Sequence, residues 1–134
     1  MQSELLDSFT VSLTVRSDAL LNNMYLLAED KHELVPQDGI ILQDALVNAF
    51  EGESVFDILN REMRAAGIHM SSRRMPAFDS VFVEAINNLY MLDAGPFSGW
   101  NYTVNGLHAE VAPDQYILQK GDIVEFIYII DLSE

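Results

Sequence analysis

Phe9, Val11, Leu13 and Val15 alternate with Thr10, Ser12 and Thr14, a period of two that predicts a half-buried strand over Phe9–Arg16. Ser17-Asp18 then predicts a capped helical turn in Ala19–Leu27, and the polar, turn-rich Ala28–Gly39 a long connection. Ile40–Phe50 reads as a second strand, antiparallel to the first. Val55, Ile58, Leu59, Met63 and Ala66 recur at helical spacing and give one apolar stripe. Ser54 stands at the N-cap of that helix, Asp57 lies near its positive end, and Gly67 occupies the C′ position. Ser71–Arg74 reads as a polar break before Pro76. Ser80–Ile86 predicts a strand, Asn87-Asn88 a turn and Leu89–Leu92 a short extended piece. Trp100, Tyr102 and Val104 share one strand face, with Asn101 and Thr103 on the other. Asn105-Gly106 is the signature of a type I′ hairpin turn, since both central positions need positive φ. After Gly121-Asp122, the nearly all-apolar Ile123–Ile130 predicts a strand at the centre of a sheet.

The order strand, long connection, strand, helix, then several strands predicts an α+β fold. The expected form is a ubiquitin-like β-grasp, one main helix packed on a mixed β-sheet. The 134 residues fit one domain, taken as 9–132 after an N-terminal tail over 1–8. A 49% hydrophobic content supplies a core without staples, and with no cysteine there is no disulfide, thiolate metal site or thiol nucleophile. Seven basic residues against 21 acidic give a net charge of −14, which argues against nucleic acid and anionic membranes as partners. No apolar run reaches the roughly 20 residues of a membrane span. The opening Met1–Phe9 has neither a basic n-region nor an apolar h-region, so no signal peptide is expected in this chain.

The only tryptophan lies in GPFSGWNYTVNG, Gly95–Gly106. As a packing residue, Trp100 would lie with Tyr102 and Val104 against the helix stripe, and Gly99 would ease a sharp entry into the sheet. As a binding residue, it would offer a flat amphipathic ring beside the Ala94–Ser98 loop, extended by Tyr90 and Tyr102, with Asn101 or Asn105 adding polar contacts. His32, His69 and His108 have no metal-ligand spacing. Asp114, Asp122, Glu125 and Asp131 could gather around the last hairpin, without EF-hand spacing. No nucleophile–base pair or phosphate loop stands out, so no enzyme activity, metal or required cofactor is expected. Arg61, Arg64, Arg73 and Arg74 form the one basic cluster in the sequence, expected to pair with the acidic excess and able, at an interface, to dock an acidic partner.

Four segments carry a resemblance: Gly52–Leu59, which opens the helix, Ile86–Tyr90, Ser98–Gly106 and Tyr116–Tyr128. The most specific pair is Gly99-Trp100-x-Tyr102-x-Val104-Asn105-Gly106 with Gly121-Asp122-x-Val124-Glu125-Phe126-x-Tyr128. In this order they resemble a bacterial domain-of-unknown-function family similar to the C-terminal domain of transcobalamin and intrinsic factor. The resemblance implies a ubiquitin-like β-grasp and secretion or attachment to the cell surface in Gram-positive bacteria, often as a lipoprotein. It also implies a non-enzymatic module that covers one face of a corrinoid such as cobalamin. The helical-barrel domain that holds the other face in transcobalamins has no counterpart in this sequence. The ligand-binding residues implied are Tyr90, Phe97, Ser98, Gly99, Trp100, Tyr102 and Asn105. The alternative is a protein-interaction, adhesion or spacer module that engages a surface protein partner through a sheet edge.

Overall fold

Residues 7–130 are described in the computed structural model of the protein. Residues 1–6 of the expected tail lie outside the described residues, as do Asp131 of the acidic group and Leu132 at the end of the expected domain. The alternating segment forms β1 (Ser8–Arg16), paired antiparallel with β2 (Ile40–Phe50). One main helix, α1 (Val55–Ala66), follows. Then come β3 (Met70–Met75), β4 (Ser80–Ile86), β5 (Leu89–Tyr90), β6 (Gly99–Val104), β7 (Leu107–His108) and β8 (Ile123–Ile129).

The strands fall into two sheets, one ordered β2-β1-β8-β6-β7 and the other β3-β4-β5. The larger sheet is mixed, because β8 runs parallel to β1 and antiparallel to β6. β8 therefore sits between two strands, as its near-continuous apolar run requires. The register puts Leu13 beside Val124 and Val15 beside Phe126, and then Trp100 beside Tyr128 and Tyr102 beside Phe126. These side chains share one face and form a single core with Val55, Ile58, Leu59 and Met63 of α1. Ala66, expected on the helix stripe, is exposed because it lies in the last turn, beyond the sheet.

Both ends of α1 are closed by the residues placed there by spacing. Ser54 Oγ accepts from the Asp57 N–H at 3.2 Å, and the Asp57 carboxylate accepts from the Ser54 N–H at 2.9 Å. This reciprocal box satisfies two of the helix's orphan donors. Gly67 at φ 70° turns its N–H back onto Arg64 and Met63. Arg61 reaches from the helix to Glu53 at 2.8 Å and also donates to the Asn48 carbonyl on the outer edge of β2. The Arg61 hydrogen bond holds the Glu53 carboxyl below the usual range.

Two expectations are corrected by the structure. The connection after β1 is a series of 3-10 turns, Asp18–Leu20, Met24–Leu26 and Glu29–Leu34, and Ser17 caps none of them with its side chain. Ser17 is fully buried and its hydroxyl has no partner. The connection closes where the Ser17 N–H donates to the Gly39 carbonyl at 2.7 Å. A Cβ at Gly39 would lie 2.4 Å from Asp18 Cα, so this position requires glycine. Second, Ser71–Arg74 is no break but most of β3, an edge strand whose Ser72, Arg73 and Arg74 are exposed. An edge exposed on this scale needs no apolar face and leaves no period-two signal. The expected pairing of the arginines with the acidic excess is present for three of the four. Arg61, Arg73 and Arg74 pair with Glu53, Glu84 and Asp79 respectively.

Candidate functional site

Trp100 is 7% exposed. Its indole N–H donates to the Leu89 carbonyl at 2.8 Å, and its ring meets Tyr128 edge-on with centroids 5.3 Å apart. The ring is a core element, and only its edge reaches the surface. Tyr102 is packed as deeply: it stacks on Phe126 at 5.4 Å and donates its hydroxyl to the Val111 carbonyl at 2.7 Å. Burial pushes the Tyr102 phenol up to about 12, so it is neutral at any physiological pH.

The two sheets part between β4 and β6, which lie near one another without strand pairing. The cleft between them holds two cavities of about 260 and 280 Å³ that share Phe82, Trp100 and Asn101 in their walls. Phe78 and Val111 flank the first, Leu92 and Phe97 the second. These rims are apolar and open: Phe78 is 70% exposed, Phe97 59% and Leu92 57%. Neither wall contains Asp, Glu, Lys, Arg or His. In a chain with 21 acidic residues, such a charge-free surface is the feature that sets the cleft apart.

The residues expected to bind are divided by the fold. Phe97, Ser98, Gly99 and Trp100 line the second cavity, and Trp100 and Tyr102 the first. Ser98 is buried and spends its hydroxyl on its own loop, accepting from the Ala94 N–H at 3.1 Å and donating to the Gly95 carbonyl at 2.9 Å. Gly99 has no positive φ, and a Cβ there would only touch Met91 at 3.6 Å, so no sharp entry into the sheet demands a glycine. Tyr90 lines neither cavity; its ring tilts against His69 at 5.8 Å, and its N–H donates to Asp93. Asn105 lies at the opposite end of β6. At φ 54° it forms the hairpin turn, donates to Asp122 at 3.0 Å and accepts from the Ile123 N–H at 2.9 Å.

The remaining titratable groups do not converge. Among the described residues, no three His, Asp or Glu side chains stand together as a metal site would require. Asp114 accepts from the Val81 N–H, Asp122 closes the Gly121 turn, and Glu125 pairs with Arg16. His32 faces the Leu27 carbonyl and His69 faces the Asn88 N–H. No helix of the described residues is long and apolar enough to cross a membrane.

Sequence reasoning passed over Phe78, Phe82, Leu92 and Val111. Phe82 was read as one member of a strand pattern, and Phe78 stood in a loop beside Pro76. The signal lay in their exposure, since an isolated loop Phe with no apolar period is not a core residue. Their convergence on Trp100 depends on tertiary packing.

Residues 52–129 match the model of the family described as Domain of unknown function (DUF4430). No curated protein matches the sequence significantly. Haptocorrin in complex with Cbi is similar in fold over 91% of this chain, with a TM-score of 0.67 and 10% identity. The chain spans only 25% of that haptocorrin chain. A candidate metal binding protein from Ruminococcus gnavus ATCC 29149 is similar over 90% of this chain and 96% of its own, with a TM-score of 0.52 and 13% identity. At these identities the likeness is one of fold.

Proposed function

The chain belongs to the DUF4430 family, and from that premise we propose that it is a non-enzymatic binding module acting outside the cell. Its fold is read as a β-grasp variant, with α1 against the larger sheet and β3-β4-β5 forming one wall of the cleft. The ligand is a flat, uncharged small molecule seated across Phe82 and the edge of Trp100, with a corrinoid such as cobalamin as the leading candidate. One observation carries this reading: an open, charge-free apolar cleft on a protein of net charge −14. A charged ligand would lose hydration there without gaining a partner. A planar apolar face gains by covering Phe78, Phe82, Leu92 and Phe97, at about 25 cal/mol per Å² removed from water. The likeness to haptocorrin, which was crystallised with Cbi, supports the corrinoid over other flat ligands. The cleft is open on one side, so it covers one face of such a ligand.

The test is a calorimetric titration with cobinamide, paired with Trp100 fluorescence corrected for ligand absorbance. Saturable heat and quenching are expected, with Phe82→Ala weakening binding about tenfold or more, equivalent to at least about 1.4 kcal/mol. A flat titration by both methods would overturn the proposal.

A further inference from the structure

The two sheets end in four edge strands, and these are not equally protected. β5 and β7 are two residues long, too short to template another chain. β2 is long, but its outer edge is occupied. The Asn48 carbonyl accepts from Arg61, the Phe50 N–H donates to the Glu53 carboxylate at 2.9 Å, and the Phe50 carbonyl accepts from the Glu53 N–H at 2.9 Å. Further along β2, Asp44 at φ 46° makes a bulge, where the register with β1 shifts between Leu13 and Val15. β3 is the exception. It is six residues long, pairs with β4 alone and stands outermost in its sheet, so no described strand lies on its outer side. Beyond a register shift between Ser71 and Ser72, residues 72–75 pair one to one with 80–83 of β4, which makes this stretch a regular edge.

An edge strand offers main-chain donors and acceptors to a further strand, and its side chains decide which strand is accepted. Here charge makes that choice. The chain has seven basic residues against 21 acidic, yet two of the seven, Arg73 and Arg74, stand in succession on this edge. Successive strand residues face opposite ways, so each face of the smaller sheet has one guanidinium at its rim. Arg73 lies 3.3 Å from Glu84 and Arg74 pairs with Asp79, but their side chains remain 58% and 59% exposed. A guanidinium has five N–H donors, more than one carboxylate takes up. We propose that β3 is the docking edge for an acidic, extended segment of a partner protein, which adds a fourth strand to β3-β4-β5. Two adjacent acidic residues of that segment meet Arg73 and Arg74, one on each face, while its main chain pairs with residues 72–75. A second copy of β3 is the wrong occupant. Paired antiparallel over residues 72–75 it sets arginine opposite arginine, and like charges directly opposite are destabilising. The two arginines thus repel this chain and select an acidic one. Docking at β3 needs no ligand in the cleft.

The test uses the whole chain, labelled with ¹⁵N, and three capped peptides. The first is Thr-Val-Glu-Glu-Val-Thr, the second has lysines in place of the glutamates, and the third is the first N-methylated at both glutamates. The acidic peptide is expected to shift the main-chain N–H resonances of residues 71–75, and added salt to weaken its binding. The lysine peptide is expected to bind at least about tenfold more weakly, because two favourable charge contacts become two like pairs. One of two successive N–H groups must face β3, so the N-methylated peptide loses a ladder bond and should leave those resonances unmoved. Arg73→Glu combined with Arg74→Glu should reverse the preference toward the lysine peptide. An N-methylated peptide that binds as tightly as its parent overturns strand addition, and a lysine peptide that binds equally overturns selection by charge. Shifts confined to other strands, or no shift at millimolar peptide, overturn the docking edge itself. The three peptides are compared on the unsubstituted chain, so these outcomes stand even if the charge-reversed variant fails to fold.

Discussion

The two ends of β6, at Trp100 and Asn105, are five residues apart and built on opposite rules. At the Asn105 end the turn's side chains are tied together: the Asn105 side chain bridges Asp122 and the Ile123 N–H, and Asp122 accepts in turn from Gln119. At the Trp100 end the indole is satisfied, and Phe78, Leu92 and Phe97 stand open around it. The first end closes a hairpin that the fold needs. The second end leaves apolar surface uncovered, which folding alone does not reward. A single motif, Gly95–Gly106, thus contains a structural lock and the wall of the proposed binding cleft, and its residue types do not tell them apart.

Substitutions can break this contrast or sharpen it, and the expected losses of stability run downward from the shared core. Trp100→Ala empties the space beside Tyr128 and removes the bond to Leu89, and should cost about 3–5 kcal/mol in urea unfolding. Asn105→Ala removes both turn bonds and sets alanine at positive φ. About 2 kcal/mol should be lost, with cobinamide binding to the folded protein unchanged. A change in binding would mean that the closed end is not separate from the cleft. Tyr102→Phe leaves the Val111 carbonyl without its donor, and should cost about 1 kcal/mol.

The same phenol gives a pH signature. Its value in the fold is about 12 against an ordinary 10.0, raised chiefly by burial. Below pH 10 the proton is held in both folded and unfolded states and stability is complete. Between about 10 and 12 the unfolded chain releases it while the folded chain does not, so stability falls across that window. A spectrophotometric tyrosinate titration should show late-ionising tyrosines, of which Tyr102→Phe removes one while Tyr128, also raised by burial, remains. The smallest loss belongs to Phe97→Ser: an exposed rim residue should change stability by no more than about 0.5 kcal/mol while weakening ligand binding. A large loss of stability there would show that the rim is part of the core.

What was legible beforehand follows from where information sits along a chain. The helix from Val55 to Ala66 announced itself through its spacing, its Ser54–Asp57 box and Gly67, because helix ends are local chemistry. The strands at Phe9–Arg16 and Ile123–Ile130 were legible because burial on one or both faces imposes an apolar pattern. Met70–Met75 was not, since an edge strand that keeps Ser72, Arg73 and Arg74 in water imposes no pattern. The division into two sheets was hidden as well, because pairing between distant strands is not written in any one of them. For the site, Phe97 and Trp100 were reachable through one short motif. Phe78 and Phe82 join them from the β3–β4 hairpin, and only the packing of that hairpin against β6 brings them there. The role of Trp100 was hidden for a different reason: a buried indole and a stacking platform have the same residue type and the same neighbours in sequence.

The parallel pairing of Ser12–Arg16 with Ile123–Ile127 sets the order of assembly. It joins the first strand to the last across roughly a hundred intervening residues, and the entropy of closing so long a loop must be met before the contact returns anything. Local hairpins such as β3–β4 and β6–β7 can form early, and β6 can pair with β8, but the larger sheet is complete only when β8 has docked against β1. Refolding should therefore be slow for a chain of this size, and a nascent chain should gain its binding cleft only after its final strand has emerged.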